Sequence, residues 1–312
     1  MHIPDGFLDA KTLIASGAIA ATGLGLALRT ARRELPPRDV PRLGLCAAFL
    51  FAAQMVNFPV AGGTSGHLIG GALAAALLGP AAAAIVVTSV LLVQSLLFAD
   101  GGVLALGANV LNMALVAPLT GYAVFIGLQR LLPGQRGRIA SLIVSGWCST
   151  FLASVACAGQ LAASGTVAWR VGLPAMAGIH ALIGLGEGLI SALVLLAIER
   201  AGGRAGSAQP AGHARGALAL GALAALGVAL FVAPFACPWP DGLEAVAARL
   251  GFEHRALEPM LPAMIPDYQV PGIASPGVAT ALAGVVGVAA VFAFAWVTSR
   301  LLVGAKSAAP TA

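Results

Sequence analysis

The chain is short of charge. Only 9 % of its 312 residues are Asp, Glu, Lys or Arg, against roughly 25 % in a soluble globular chain. That excludes an ordinary soluble domain. The net charge of +5 is not a nucleic-acid footprint, because the arginines fall in short clusters between apolar runs. Lysine is almost missing: Lys11 and Lys306 stand alone, and neither follows a glycine. A P-loop needs G-x-x-x-x-G-K-[ST], so no nucleotide-phosphate cradle is encoded and any ATP-derived energy has to come from other chains. The four cysteines, Cys46, Cys148, Cys157 and Cys237, show no C-x-x-C spacing. Neither a disulfide framework nor a zinc site follows from them. Aromatics make up 6 %, whereas glycine alone contributes 40 residues. Small residues let membrane helices approach closely.

Long apolar runs are what the chain has in quantity, and 59 % of it is hydrophobic. They cover about Thr12–Leu28, Leu43–Phe58, Leu68–Leu78, Ala81–Phe98, Val103–Leu128, Ile139–Leu161, Ala175–Ile198, Ala217–Phe235 and Val278–Leu302. The expectation is an all-α polytopic membrane protein with nine spans. Arginine clusters at Arg29–Arg42, Gln129–Arg138, Glu199–Arg215 and after Arg300 set an orientation with the N-terminus outside and the C-terminus cytoplasmic. Asp100, Asp241, Glu244, Glu253, Glu258 and Asp267 then fall outside. The third run is too short for a core about 30 Å thick. The Gly-rich break before it, Pro59–Gly66, is therefore expected to dip into the membrane as a re-entrant loop near the outer face.

The chain opens Met1-His2-Ile3-Pro4-Asp5-Gly6, with no basic stretch ahead of the first apolar run, so it reads poorly as a signal peptide. Met1 is expected to be retained before the bulky His2. Two residues then offer a metal three nitrogens: the Met1 amine, the His2 amide if deprotonated, and a His2 ring nitrogen. A fourth would complete a square plane suited to Ni(II) or Cu(II). His67, in Gly62-Gly63-Thr64-Ser65-Gly66-His67, falls on the same side and is the candidate. A histidine at a helix start also serves to satisfy backbone carbonyls, and spacing alone leaves both readings open.

The segments MHIPDGFLD, AAQMVNFPVAGGTSGHLIGGALAAALLGP, LLVQSLLFADGGVLALGANVLNMAL and GIHALIGLGEGLISALV resemble the CbiM/NikM family. These are substrate-binding components of energy-coupling-factor (ECF) transporters for cobalt and nickel. The resemblance spans about residues 1–200. It implies a seven-helix core and metal ligation by Met1, His2 and His67. It also implies partners, two ATPase subunits and a transmembrane coupling subunit, in a bacterial inner membrane. A second resemblance, CPWPDGLEAVA from Cys237 followed by Pro266-Asp267-Tyr268, is to the NikN-type PDGLE domain. It implies two C-terminal transmembrane helices, residues 215–312, fused through a linker at 201–214. The CbiN type has a different loop, so this resemblance implies Ni(2+) over Co(2+) as the transported ion. This domain is expected to assist metal loading, its scattered acids offering transient capture and no permanent ligand.

Asp5, Asn57 and Ser65 are candidates to orient the metal-binding imidazoles, unless Asp5 only shapes the Pro4-Asp5-Gly6 turn. His180 and Glu187, seven apart on one helix face, read as second-layer or helix-locking groups. Asn109, Asn112, Gln54 and Gln94 are expected to glue helices, since unbonded amides are costly in lipid. Gly70, Gly71, Ala74 and Ala75 suit either a face for the coupling subunit or packing inside the bundle. Two other functions compete. Gly63-Thr64-Ser65-Gly66 matches a short intramembrane serine-protease pattern, with His180 as base, and a passive metal channel would import without ATP. The protease reading makes Ser65→Ala fatal and His2→Ala harmless; a metal carrier reverses that order.

Overall fold

The structure, a computed structural model, describes residues 1–200 and 211–304. Its helices, in chain order, are α1 Ala10–Glu34, α2 Val40–Gln54, α3 Gly71–Leu78, α4 Pro80–Leu97, α5 Leu106–Asn109, α6 Ala117–Leu131, α7 Gly134–Ala163, α8 Trp169–Arg200, α9 Ala211–Phe231, α10 Gly242–Leu250 and α11 Pro276–Gly304. A π-helical stretch, Val110–Val116, joins α5 to α6 without a break. The strands β1 Phe58–Val60 and β2 Thr64–Gly66 pair antiparallel, Pro59 opposite Ser65. The chain is an all-α multi-pass membrane protein, as a lipid-embedded backbone must bond within its own segment.

Every apolar run carries a helix. Among the described residues, seven helices are long and apolar enough to cross a membrane. With 15 and 8 residues, α2 and α3 fall short. The run expected to continue to Phe58 stops at Gln54, because Pro59 and the left-handed Gly62 and Gly63 (φ 71° and 72°) turn the chain into the β1–β2 hairpin. At its start, α3 is set by Gly70 (φ 77°), and it ends at Gly79, with Pro80 opening α4. Two backbone donors just before α3 would otherwise be orphaned in lipid. Glu187 of α8 accepts both, from Ile69 N at 2.6 Å and Gly70 N at 2.8 Å.

Small residues set the packing. On Gly146 of α7, a Cβ would stand 2.9 Å from Gly188 Cα of α8. Near the π-helical stretch, Asn112 and Gln160 exchange amide hydrogen bonds at 2.7 and 3.1 Å. Ala74 and Ala75 are fully buried, Gly70 abuts Leu50, and Gly71 abuts Ala117 and Pro118. These four pack inside the bundle and present no face to a coupling subunit. Most of the expected linker, residues 201–210, lies outside the described residues, and α9 begins at Ala211. Beyond it, α9 and α11 lie against α2 and each other.

The segments that carry the candidate site meet at one end of the bundle. Ile3 exchanges hydrogen bonds with the Asn109 side chain (2.8 and 3.0 Å), and its carbonyl accepts Gly102 N–H at 2.9 Å. The Thr166 hydroxyl donates to Phe7 O. The segment before α10 zips onto the hairpin: Ser65 N–H donates to Pro240 O (2.8 Å) and Cys237 N–H to Asn57 O (2.9 Å).

Candidate metal centre

The two ends of the proposed nitrogen set lie together. The Met1 amine sits 2.9 Å from His67 Nε2. His67 is 6 % exposed, and its Nδ1–H donates to Leu68 O at 3.2 Å. That bond places the ring hydrogen on Nδ1 and leaves the Nε2 lone pair facing the amine, as a metal-binding imidazole requires. The His2 ring stacks on His67, centroids 5.2 Å apart and planes 17° from parallel. Its nitrogens are turned elsewhere: Nδ1 lies 3.0 Å from Asp100 Oδ1 and Nε2 3.2 Å from Gln94 Oε1. Burial lowers the His2 pKa to about 4, the nearby Asp100 offsetting only part of the loss.

Asp241 takes a place that sequence reasoning did not give it. Its Oδ1 accepts Leu243 N–H (2.8 Å) and Glu244 N–H (2.9 Å), and Glu244 returns a carboxylate to Asp241 N–H (2.9 Å). This is a capping box at the start of α10, and it fixes the carboxylate. The other oxygen, Oδ2, forms an ion pair with the Met1 amine and lies 3.8 Å from His67 Nε2. Burial alone would raise the Asp241 pKa; the Met1 ammonium and His67 outweigh it and hold the carboxyl well below the usual range. Asp241 comes this close because residue 242 is glycine. A Cβ there would stand 2.7 Å from His180 Cε1. The expectation of merely scattered acids in this loop is therefore corrected, since one of them touches the site.

None of the residues expected to orient the histidines bonds to them. Asp5 Oδ1 instead accepts Leu104 and Ala105 N–H (2.9 and 3.1 Å), tying down the N-terminal segment. Asn57 contributes its carbonyl to Cys237. Ser65 Oγ donates to Trp239 O at 2.7 Å, and His180 Nδ1–H to Met176 O at 2.8 Å. No hydrogen bond joins Ser65 to His180 among the described residues, so the protease pair has no geometric support. His180 shares with Met1, His67, Gly66, Thr150 and Gly242 the lining of a small cavity beside the amine.

Residues 2–205 match the family described as "Cobalt uptake substrate-specific transmembrane region", and residues 215–304 match the PDGLE domain. The chain belongs to the CbiM family. A relative from Archaeoglobus fulgidus, "Putative fused nickel transport protein NikMN", is 37 % identical over 96 % of this chain and 98 % of its own length. The fused nickel transport protein NikMN of Rhodobacter capsulatus is 41 % identical over 45 % of this chain and 40 % of its own. A crystal structure of a truncated transition metal transporter superposes with a TM-score of 0.58 at 36 % identity, covering 64 % of this chain and 99 % of that one.

In this member of the CbiM family, the polar groups that sequence reasoning missed are Asp241, Asp100, Gln94 and Tyr268, whose hydroxyl donates to Asp100 Oδ2 (2.5 Å) and accepts from Gln94 Nε2 (3.2 Å). For Asp241 a signal existed: Asp241-Gly-Leu-Glu244 has the D-x-x-E spacing of a capping box before an apolar run. For the other three no local signal marks a role at His2.

Proposed function

We propose that this chain is the substrate-binding component of an ATP-driven importer of a divalent transition metal, nickel in preference to cobalt, with Met1, His2 and His67 as ligands. The observation that carries this is the buried Met1 amine set against the Nε2 lone pair of His67. Among the described residues no three His, Cys, Asp or Glu side chains cluster at metal-binding range, so a metal at this end relies on the terminal amine and the His2 amide. Full chelation turns the His2 ring off Asp100 and brings its Nδ1 to the metal. The relatives named as nickel transporters support the nickel preference. The absent P-loop supports a requirement for two ATPase subunits and a coupling subunit. Residues 1–200 act as the metal-binding core and 215–312 as the loading domain, with the site facing outward from a bacterial inner membrane and the C-terminus in the cytoplasm. ATP hydrolysis in the partners reorients the component and releases the ion inside.

Metal analysis of the purified chain, with uptake of radioactive nickel and cobalt by cells, tests the proposal. Accumulation is expected only when the ATPase and coupling subunits are co-produced, and with nickel above cobalt. Uptake by this chain alone would establish a passive channel instead.

Metal affinity is expected to fall as pH falls, because binding releases protons from the Met1 ammonium and the His2 amide. The His2 ring adds no step of its own above about pH 5, since burial keeps it neutral down to about 4. The same shift acts on docking of the N-terminal segment. An undocked His2 takes up a proton near pH 6.5, whereas the docked one does not until about 4. Docking is therefore fully favoured above 6.5 and weakens as pH drops toward 4, by up to about 3 kcal/mol. Nickel titrations and hydrogen exchange at Ile3 from pH 8 to 4 would show both trends; a flat affinity would exclude nitrogen ligation.

A further inference from the structure

One helix grips the chain on both sides of His67. Before it, a Cβ on Gly66 would stand 2.7 Å from Ile183 Cγ1 of α8, so the missing side chain lets the helix come close. After it, Glu187 of the same helix accepts Ile69 N–H on Oε2 (2.6 Å) and Gly70 N–H on Oε1 (2.8 Å). Ile183 and Glu187 are four residues apart and so lie on one face of α8. Leu68, Ile69 and Glu187 are all buried. The bond to Ile69 reaches further than the start of α3. The Ile69 N–H and the Leu68 carbonyl belong to one peptide unit, which is planar and trans, so they point in opposite directions. Holding the N–H on Glu187 turns Leu68 O away from that side chain, and there it meets His67 Nδ1 at 3.2 Å. The other ring nitrogen, Nε2, stands 2.9 Å from the Met1 amine.

We propose that Glu187 is a positioning residue for His67: through the Leu68–Ile69 peptide it fixes the angle at which the imidazole presents Nε2 to the metal. The proposal rests on His67 being a ligand. The stack on His2, with planes 17° from parallel, limits the tilt of the ring, and a neighbour at Nδ1 fixes its rotation within that plane. A carbonyl on an unheld peptide would be a loose neighbour, because the unit turns about the soft bonds on either side of it. Glu187 removes that freedom. Its second bond secures the next peptide at Gly70, a residue in left-handed backbone (φ 77°) whose conformational latitude would otherwise undo the first. Outer hydrogen-bond partners of this kind orient metal-bound imidazoles and tune their affinity.

The test uses the full chain in detergent. Glu187→Gln keeps the size of the side chain but offers one acceptor and one NH2, so one of the two backbone N–H groups loses its partner. Nickel affinity is expected to fall about tenfold, the low end of the usual effect of an outer partner of a metal-bound histidine. At full loading, the visible absorption band of the bound nickel should move to longer wavelength as Nε2 swings off its line to the metal. A side chain that only secures the start of α3 would leave that band in place. It would also weaken nickel binding as much in a His67→Ala background as in the wild type, whereas a residue acting through His67 has no further effect there. Should Glu187→Gln not fold, Glu187→Asp gives the same readings, since it keeps both oxygens and draws them back by one methylene. Unchanged affinity and an unchanged band in the folded variant would overturn the proposal. His67→Ala separates this from failure of the ligand set: if it loses nickel affinity while the Glu187 variant does not, only the positioning role falls. Wild-type nickel binding by His67→Ala would overturn the ligand set itself.

Discussion

Two residues added in front of Met1 should cut nickel affinity at least about 100-fold, about 2.7 kcal/mol. The extension carries the primary amine away from His67 and leaves at Met1 a peptide nitrogen that ligates only by losing its proton. It also has nowhere to go. The amine is packed between His67 and the Asp241 carboxylate, Met1 is 4 % exposed, and Ile3 behind it is fully buried. The added residues must displace the C-terminal domain or lift the N-terminal segment off Asn109. A tag placed after the last helix should leave affinity unchanged, which separates loss of the amine from a general effect of tagging. Calorimetry on the two tagged forms, beside the untagged chain, decides the matter. Equal affinities in all three would remove the terminal amine from the ligand set.

Asp241→Asn should loosen the N-terminal segment and slow nickel uptake about tenfold or more. Asparagine keeps the shape of the side chain and caps a helix about as well as aspartate, so α10 should survive. What is lost is the charge opposite a buried ammonium, and breaking one side of a buried pair typically costs about 3–5 kcal/mol. Asp241→Ala removes the cap as well and should cost about 1 kcal/mol more. Hydrogen exchange at Ile3 and Phe7 measures the loosening, and uptake of radioactive nickel measures the functional loss. If Asp241→Asn leaves both unchanged while Asp241→Ala alters them, the carboxylate matters only as a helix cap. The loading role of the C-terminal domain would then need another residue.

The apolar runs, the break at Pro59–Gly66 and the position of His67 were legible because each follows from local composition. Pro59 and paired glycines interrupt an apolar pattern whatever lies around them. The early end of α2 was not legible, because Met55, Val56 and Phe58 extend the apolar run past the point where the hairpin begins. Asp241 was half legible: the capping box is written in four consecutive residues, but the partner of its second oxygen lies 240 positions away. Tyr268 was hidden altogether. Its contact with Asp100 and Gln94 depends on two non-glycine residues in left-handed backbone, which only the surrounding fold imposes. The outer residues chosen for their nearness in sequence, Asn57 and Ser65, illustrate the same limit. Adjacency to His67 put them against the C-terminal segment instead of the imidazole.

Because Asp241 and the Met1 amine belong to one polypeptide, the contact between them is an intramolecular event. Tethering gives joined groups an effective concentration on the order of millimolar, independent of how much protein the membrane holds. An incoming cation thus meets a carboxylate that is always present beside the amine, in a fixed one-to-one ratio, and that dilution cannot remove. Largely buried, the pair is also poorly screened by salt. Were the same domain a separate subunit, its occupancy of the amine would vary with its abundance. On a single chain, the pairing of this carboxylate with the amine is written into the sequence and inherited with it.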